Sequence, residues 1–114
     1  KLDVNKMKQA ASYLVGEHDF KSFCAVGAQV KTTTRTIYSC EVEKDGNDII
    51  TIRVTGNGFL YNMVRIIAGT LIRVGGGEMA PDEIPQILGK KDRTAAGPTA
   101  PAHGLTMMGI EYGE

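Results

Sequence analysis

Thr36-Ile37-Tyr38-Ser39-Cys40-Glu41-Val42-Glu43, Lys44-Asp45-Gly46-Asn47-Asp48 and Ile49-Ile50-Thr51-Ile52-Arg53-Val54 follow one another without a break, and their reading decides the fold. In the third piece Ile50, Ile52 and Val54 recur at every second position, which in an extended chain sends them to one face. The first piece keeps the same rhythm less strictly, with Ile37, Cys40 and Val42 only roughly in phase. Between them Gly46 and Asn47 tolerate the positive φ that a tight reversal demands. The expectation is an antiparallel hairpin with strands over residues 36–43 and 49–54.

Outward from the hairpin the period changes. Gly56-Asn57-Gly58 breaks the second strand, and from about residue 59 to 74 Leu60, Met63, Val64, Ile67, Leu71 and Val74 form one apolar stripe on a helix. Gly75-Gly76-Gly77 ends it. On the amino-terminal side Val4, Met7, Ala11 and Leu14 recur at helical spacing, with Asp3 placed to cap the start and Gly16 the end. Residues 17–23 carry two aromatics but are too few for a full helix, so a capped turn started by Asp19 is expected. Residues 31–36, rich in threonine, read as a loop or an irregular strand entry. Beyond the long helix, Pro81 with Asp82 and Glu83 beside it opens a short helix through Leu88. Residues 92–99 read as a loop or single turn, and residues 105–112 as a last strand.

The order helix, strand, strand, helix, helix, strand predicts one α+β domain over residues 1–114. Its sheet is expected to be antiparallel, of about three strands, with helices packed on one face. Beside a β-α-β-β-α-β unit this order lacks its first strand. A sheet so small leaves edges that need cover. The chain also opens at Lys1 rather than Met, so it reads as a processed product or an excerpt of something longer.

Composition narrows the function classes. Hydrophobic residues make up 42% of the 114 and charged residues 23%, ordinary for a folded domain. The longest apolar runs, such as Ile66-Ile67-Ala68-Gly69, are too short for a membrane span, and no leader suggests export. Thirteen basic residues balance thirteen acidic ones. A free-standing nucleic-acid binder usually shows a basic excess, so RNA contact here would need local clusters or a partner segment. Cys24 and Cys40 lack C-x-x-C spacing and read as free thiols of a reducing cytosol. With His18 and His103 they show no ligand spacing, so no metal is assigned.

Gly56-x-Gly58 sits between a strand and a helix, where a dinucleotide fingerprint would begin. Tyr61 occupies the third small position and a hairpin is the wrong setting, so that reading is rejected. The same stretch matches the RNA-recognition strand signature poorly. Arg65 stands off the apolar stripe, beside Tyr61 and Ile72 and next to Gly69. A cation early in a helix gains nothing from the helix dipole. Two readings stay open: a solvated surface arginine, or a fixed cation awaiting a carboxylate or phosphate, with Gly69 leaving room for a partner surface. Gly104 in His103-Gly104-Leu105 permits an unusual turn into the last strand, where Leu105 is a core or a site residue. Lys21, Lys31, Arg35, Lys90, Lys91 and Arg93 are either solubilising charges or phosphate contacts.

Taken in register, these motifs resemble one family. Asp19-Phe20-Lys21-Ser22-Phe23, Arg35-Thr36-Ile37 and the run from Gly58-Phe59-Leu60-Tyr61-Asn62-Met63-Val64-Arg65 to Gly69-Thr70-Leu71 are similar to the A-type tRNA pseudouridine synthases. So are Val74-Gly75, Lys91-Asp92-Arg93, Ala96, Ala102 and Gly104-Leu105, in the family's order. The likeness runs from about residue 16 to 112, and Phe-x-x-x-Met-Val-Arg-x-x-x-Gly is its most specific part.

The resemblance implies the carboxy-terminal half of a pseudouridine synthase fold, with the amino-terminal half missing. It implies a cytoplasmic, homodimeric isomerase that modifies uridines in the tRNA anticodon stem–loop, without metal or organic cofactor. It makes Arg65 the partner of a catalytic aspartate, Leu105 the aliphatic residue packed under the flipped base, and Lys21, Lys31, Arg35 and Arg93 RNA contacts. The family's aspartate lies in an Arg-x-Asp-x-Gly-like motif, and none of Asp3, Asp19, Asp45, Asp48, Asp82 and Asp92 has that setting. The stacking tyrosine is upstream as well. Alone, this chain is therefore expected to be inactive, its partners being tRNA and the amino-terminal half. The rival classes are a non-catalytic RNA-binding module and a dimerisation domain.

Overall fold

The computed structural model describes residues 2–25, 30–47 and 49–101 with their side chains, and the backbone of residues 106–112. The expected hairpin is present as β2 (Thr34–Lys44) and β3 (Ile50–Gly56), paired antiparallel from Lys44↔Ile50 back to Ile37↔Gly56. Asp45 builds the reversal: its Oδ1 accepts the backbone N–H groups of Asn47 (2.8 Å) and Ile49 (3.1 Å). At the far end Thr36 and Asn57 lock the strands together, Asn57 N–H to the Thr36 carbonyl at 3.0 Å and Thr36 N–H to Asn57 Oδ1 at 2.9 Å. Asp48, also expected in the turn, lies outside the described residues.

The sheet differs from the expectation in two ways. It has four strands in the order β1-β2-β3-β4, and β4 (Thr106–Tyr112) runs parallel to β3, from Thr51↔Thr106 to Gly56↔Tyr112. The sheet is thus mixed rather than antiparallel, because the chain between β3 and β4 is a helical crossover rather than a tight turn. The added strand is β1 (Gly16–Asp19), paired antiparallel with residues 34–37 where a turn was expected. Gly16, expected to cap the first helix, instead opens β1 at φ 111°, a value that favours glycine.

The helices cover one face. α1 (Val4–Ser12) starts as expected, Asp3 Oδ1 accepting Lys6 N–H at 3.1 Å, and buries Met7, Ala10 and Ala11. α2 begins at Met63 rather than Phe59 and runs to Gly75. Asn62, at φ 60°, stands in the left-handed region and stops the helix from extending backwards, yet Leu60 stays buried through the turn before it. Gly75 permits the crossing with α1, since a Cβ there would stand 2.7 Å from Met7 Sδ. A 3₁₀ turn at Pro81–Glu83 leads into α3 (Ile84–Lys90). Phe20 and Phe23, around the 3₁₀ turn Lys21–Phe23, join Ile37, Val42, Ile52 and Val54 of the sheet and the inner faces of all three helices in one core. On the other face of the sheet Tyr38, Glu41 and Glu43 are exposed. No helix among the described residues is long and apolar enough to cross a membrane.

Candidate functional site

Arg65 lies in the first turn of α2 and is half-buried. Its Nε donates to the Ala100 carbonyl at 2.8 Å, while its own backbone carbonyl accepts the Ala100 N–H at 3.0 Å. One residue of a later loop is thus bonded to both the side chain and the main chain of Arg65, which fixes a guanidinium that the sequence left free to be a mobile surface charge. Spacing could not show this, because Ala100 is remote in sequence.

That loop is a strap over the helix. A Cβ on Gly69 would fall 1.7 Å from the Pro98 carbonyl oxygen, and one on Gly97 would fall 2.8 Å from Thr70 Cα, so two glycines allow backbone to lie on backbone. Gly69 thus receives a strap of this same chain and leaves no room for a partner surface. Thr70, 1% exposed in an otherwise apolar stretch, serves the same contact. Its Oγ1 donates to the Ile66 carbonyl and accepts the Gly97 N–H, both at 2.8 Å. Arg93 braces the strap from the outside, Nη1 on the Gly97 carbonyl at 2.8 Å and Nη2 near Thr99 Oγ1 at 3.3 Å. Asp92 caps the 3₁₀ turn Arg93–Ala95 through the Thr94 N–H at 2.9 Å and hydroxyl at 2.8 Å, contacts that hold its carboxyl below the usual range.

With Nε occupied, the Nη pair of Arg65 has no carboxylate partner among the described residues. An arginine held in this way is a rigid cation whose terminal fork can meet a carboxylate or phosphate in two parallel hydrogen bonds. Leu105, with His103 and Gly104, lies outside the described residues, between the strap and Thr106 at the start of β4.

The expected RNA-contact residues divide. Lys21 and Arg93 line one groove of about 520 Å³, and Lys90 and Lys91 line it too. Lys31 is exposed elsewhere, and Arg35 directs Nη1 at two backbone carbonyls, Thr32 at 2.9 Å and Thr34 at 2.7 Å. Beside the groove Asp19 accepts from the Thr33 hydroxyl and the Lys21 N–H and faces Lys91 at 3.8 Å. Led by the Thr33 bond, these contacts outweigh partial desolvation and hold the Asp19 carboxyl below its ordinary value. Cys24 is buried and Cys40 half-buried, both free thiols, and burial pushes the Cys40 thiol up to about 12. No group of three potential metal ligands occurs among the described residues.

Residues 10–113 match the family model described as tRNA pseudouridine synthase. The chain is 54% identical over 112 residues to the tRNA pseudouridine synthase A of Bacillus pumilus, 56% over 112 residues to that of Brevibacillus brevis, and 50% over 112 residues to that of Bacillus subtilis. These alignments cover 97–98% of this chain and 45% of each relative, so the chain spans less than half the length of the curated relatives it matches.

Proposed function

The chain belongs to the tRNA pseudouridine synthase family, and from that premise we propose that it forms the carboxy-terminal wall of an active site converting uridine to pseudouridine in the tRNA anticodon stem–loop. The observation that carries the reading is the held guanidinium of Arg65, its Nε on Ala100 and its terminal fork without a carboxylate among the described residues. The aspartate that fork would meet comes from the amino-terminal half. In a low-dielectric cleft an ionised aspartate needs an opposite charge within reach, and a bidentate arginine meets that need better than a lysine.

In this reading the aspartate attacks or assists at the flipped uridine, the base leaves the ribose, turns and rejoins through carbon. Arg65 keeps the carboxylate charged and aimed. Leu105 packs under the base and excludes water while it turns. Lys21, Lys31, Arg35 and Arg93 supply positive charge toward the RNA, with Arg93 acting also as the brace of the strap. The enzyme is cytoplasmic, needs no metal or organic cofactor, and works as a homodimer. The 114 residues alone are inactive, since nothing in them forms or breaks the glycosidic bond.

The test is a single-turnover assay in the full-length parent. Removing one partner of a buried charge pair costs about 3–5 kcal/mol, roughly a hundredfold or more in rate if the loss falls on the transition state. Arg65→Ala should show that loss with tRNA affinity largely kept, and Arg65→Lys should also be slow. Pseudouridine formation by Arg65→Ala within a few-fold of wild type would refute the assignment, as would turnover by the 114-residue chain alone.

A further inference from the structure

The groove beside the strap has a use that the Arg65 site leaves unassigned. Its walls are fixed from below: buried Ser22 donates to the Ile87 carbonyl at 2.7 Å and accepts the Asp92 N–H at 2.9 Å, tying the turn Lys21–Phe23 to α3 and to the start of the strap. At the rim Lys21, Lys90 and Lys91 are exposed. Among the described residues Lys21 and Lys90 make no side-chain hydrogen bond or close ion pair, though Lys21 stands within reach of the Asp19 charge and Lys90 of the Asp92 charge, and Lys91 faces Asp19 at 3.8 Å. Asp19 and Asp92 give their Oδ1 atoms to hydroxyl and amide donors, and against these two carboxylates, of which Asp92 also lines the groove, stand the four cations Lys21, Lys90, Lys91 and Arg93. The chain as a whole has a net charge of zero, so this positive rim is a local concentration of charge.

Beneath the rim the groove is lined by Cys24, Ala25 and Val30, and Val30 is 46% exposed. A bare anion would leave that apolar floor wet. A volume of about 520 Å³ instead suits a body with an anionic end and an apolar face. Flexible ammoniums act as point charges and ask no particular geometry of a phosphate.

We propose that this groove seats one nucleotide of the bound RNA, its phosphate among Lys21, Lys90 and Lys91 and its sugar and base over Cys24, Ala25 and Val30. The inference rests on tRNA being the substrate, and it adds a holding point whose lining does not include Arg65. Such a contact fixes the register of the strand and carries no sequence information of its own.

The test uses the 114-residue chain and an unmodified tRNA transcript, with binding followed across a salt series. Lys21→Gln/Lys90→Gln should raise Kd several-fold and flatten the dependence of log K on log salt by roughly one to two. Lys6→Gln/Lys8→Gln, which removes the same charge from the exposed side of α1, should keep the wild-type slope. Val30→Glu, setting a carboxylate on the floor, should weaken binding without touching a lysine. Equal urea midpoints for all variants exclude unfolding as the cause. The proposal fails if the groove variant matches the α1 variant, or if the chain does not bind tRNA. It fails too if poly-glutamate competes with tRNA charge for charge, which would mark a seat for an acidic protein segment. None of these outcomes touches the Arg65 reading, which is decided by catalysis in the full-length parent.

Discussion

Gly69→Ala sets two effects of known sign against each other. In an isolated helix the change would stabilise by about 1 kcal/mol, since glycine is the poorer helix former. Here the new Cβ would stand 1.7 Å from the Pro98 carbonyl oxygen and 2.8 Å from its carbon, and both are backbone atoms that cannot swing aside. The strap must lift or the helix must shift. Overpacking of this kind costs about 1–3 kcal/mol. If the strap lifts far enough, it also loses the Gly97–Thr70 bond and both bonds joining Ala100 to Arg65. Each such bond is worth about 0.5–1.5 kcal/mol, and more where a charged group takes part. Even after the helix gain, a net loss of about 1–3 kcal/mol is expected. Urea unfolding of the 114-residue chain should show a lower midpoint at unchanged slope, and the amides of Gly97 and Ala100 should exchange faster with solvent. A midpoint at or above wild type with unchanged protection of those amides would show that the strap does not rest on Gly69.

Three further outcomes follow from the same geometry. Thr70→Val keeps the shape but leaves the buried Gly97 N–H without its acceptor, so unfolding should show a loss of about 1–3 kcal/mol. The Asp19 carboxyl is held low in the folded state, so its stabilising share is complete above its unfolded value and is lost as pH falls through the folded one. Asp19→Asn should therefore flatten the acid limb of the stability–pH curve while leaving the neutral-to-alkaline part parallel to wild type. Cys40, its thiol pushed up to about 12, should resist iodoacetamide at mildly alkaline pH in the folded chain and react once urea unfolds it, as mass spectrometry would record.

The hairpin was legible because its signals are local: a period of two in residues 50–54 and a polar reversal at residues 45–47, although neither Gly46 nor Asn47 takes the positive φ expected there and Asp45 Oδ1 holds the turn instead. Strand β1 was not, since Gly-Glu-His-Asp has no apolar alternation, and its extended form comes from pairing with β2. Residues 105–112 read as a last strand, but a strand's sequence carries no direction, so the parallel pairing with β3 stayed hidden. The start of α2 was misplaced because Leu60 is buried whether or not it is helical, while Asn62 in the left-handed region leaves no trace in an apolar stripe. Arg65 stood out for being off that stripe, yet its bond to Ala100 is a long-range contact. The strap left only faint marks, Gly69 and Gly97 as small residues and Thr70 as a hydroxyl among apolar neighbours. Lys21 is remote in sequence from Lys90 and Lys91, and the Ser22 hydroxyl helps hold their two segments together.

The parallel pairing of β4 with β3 also orders events in time. Thr51 and Thr106 lie half the chain apart, with two helices and the strap between them. Closing so long a loop costs entropy before any ladder bond repays it, whereas β2 and β3 meet across a few residues. The hairpin can therefore form early and β4 must join late, so substitutions in β4 should speed unfolding more than they slow folding. Until β4 arrives, the outer edge of β3 stands open to any other extended chain, and a slow last step leaves the growing polypeptide exposed to association for longest at that edge.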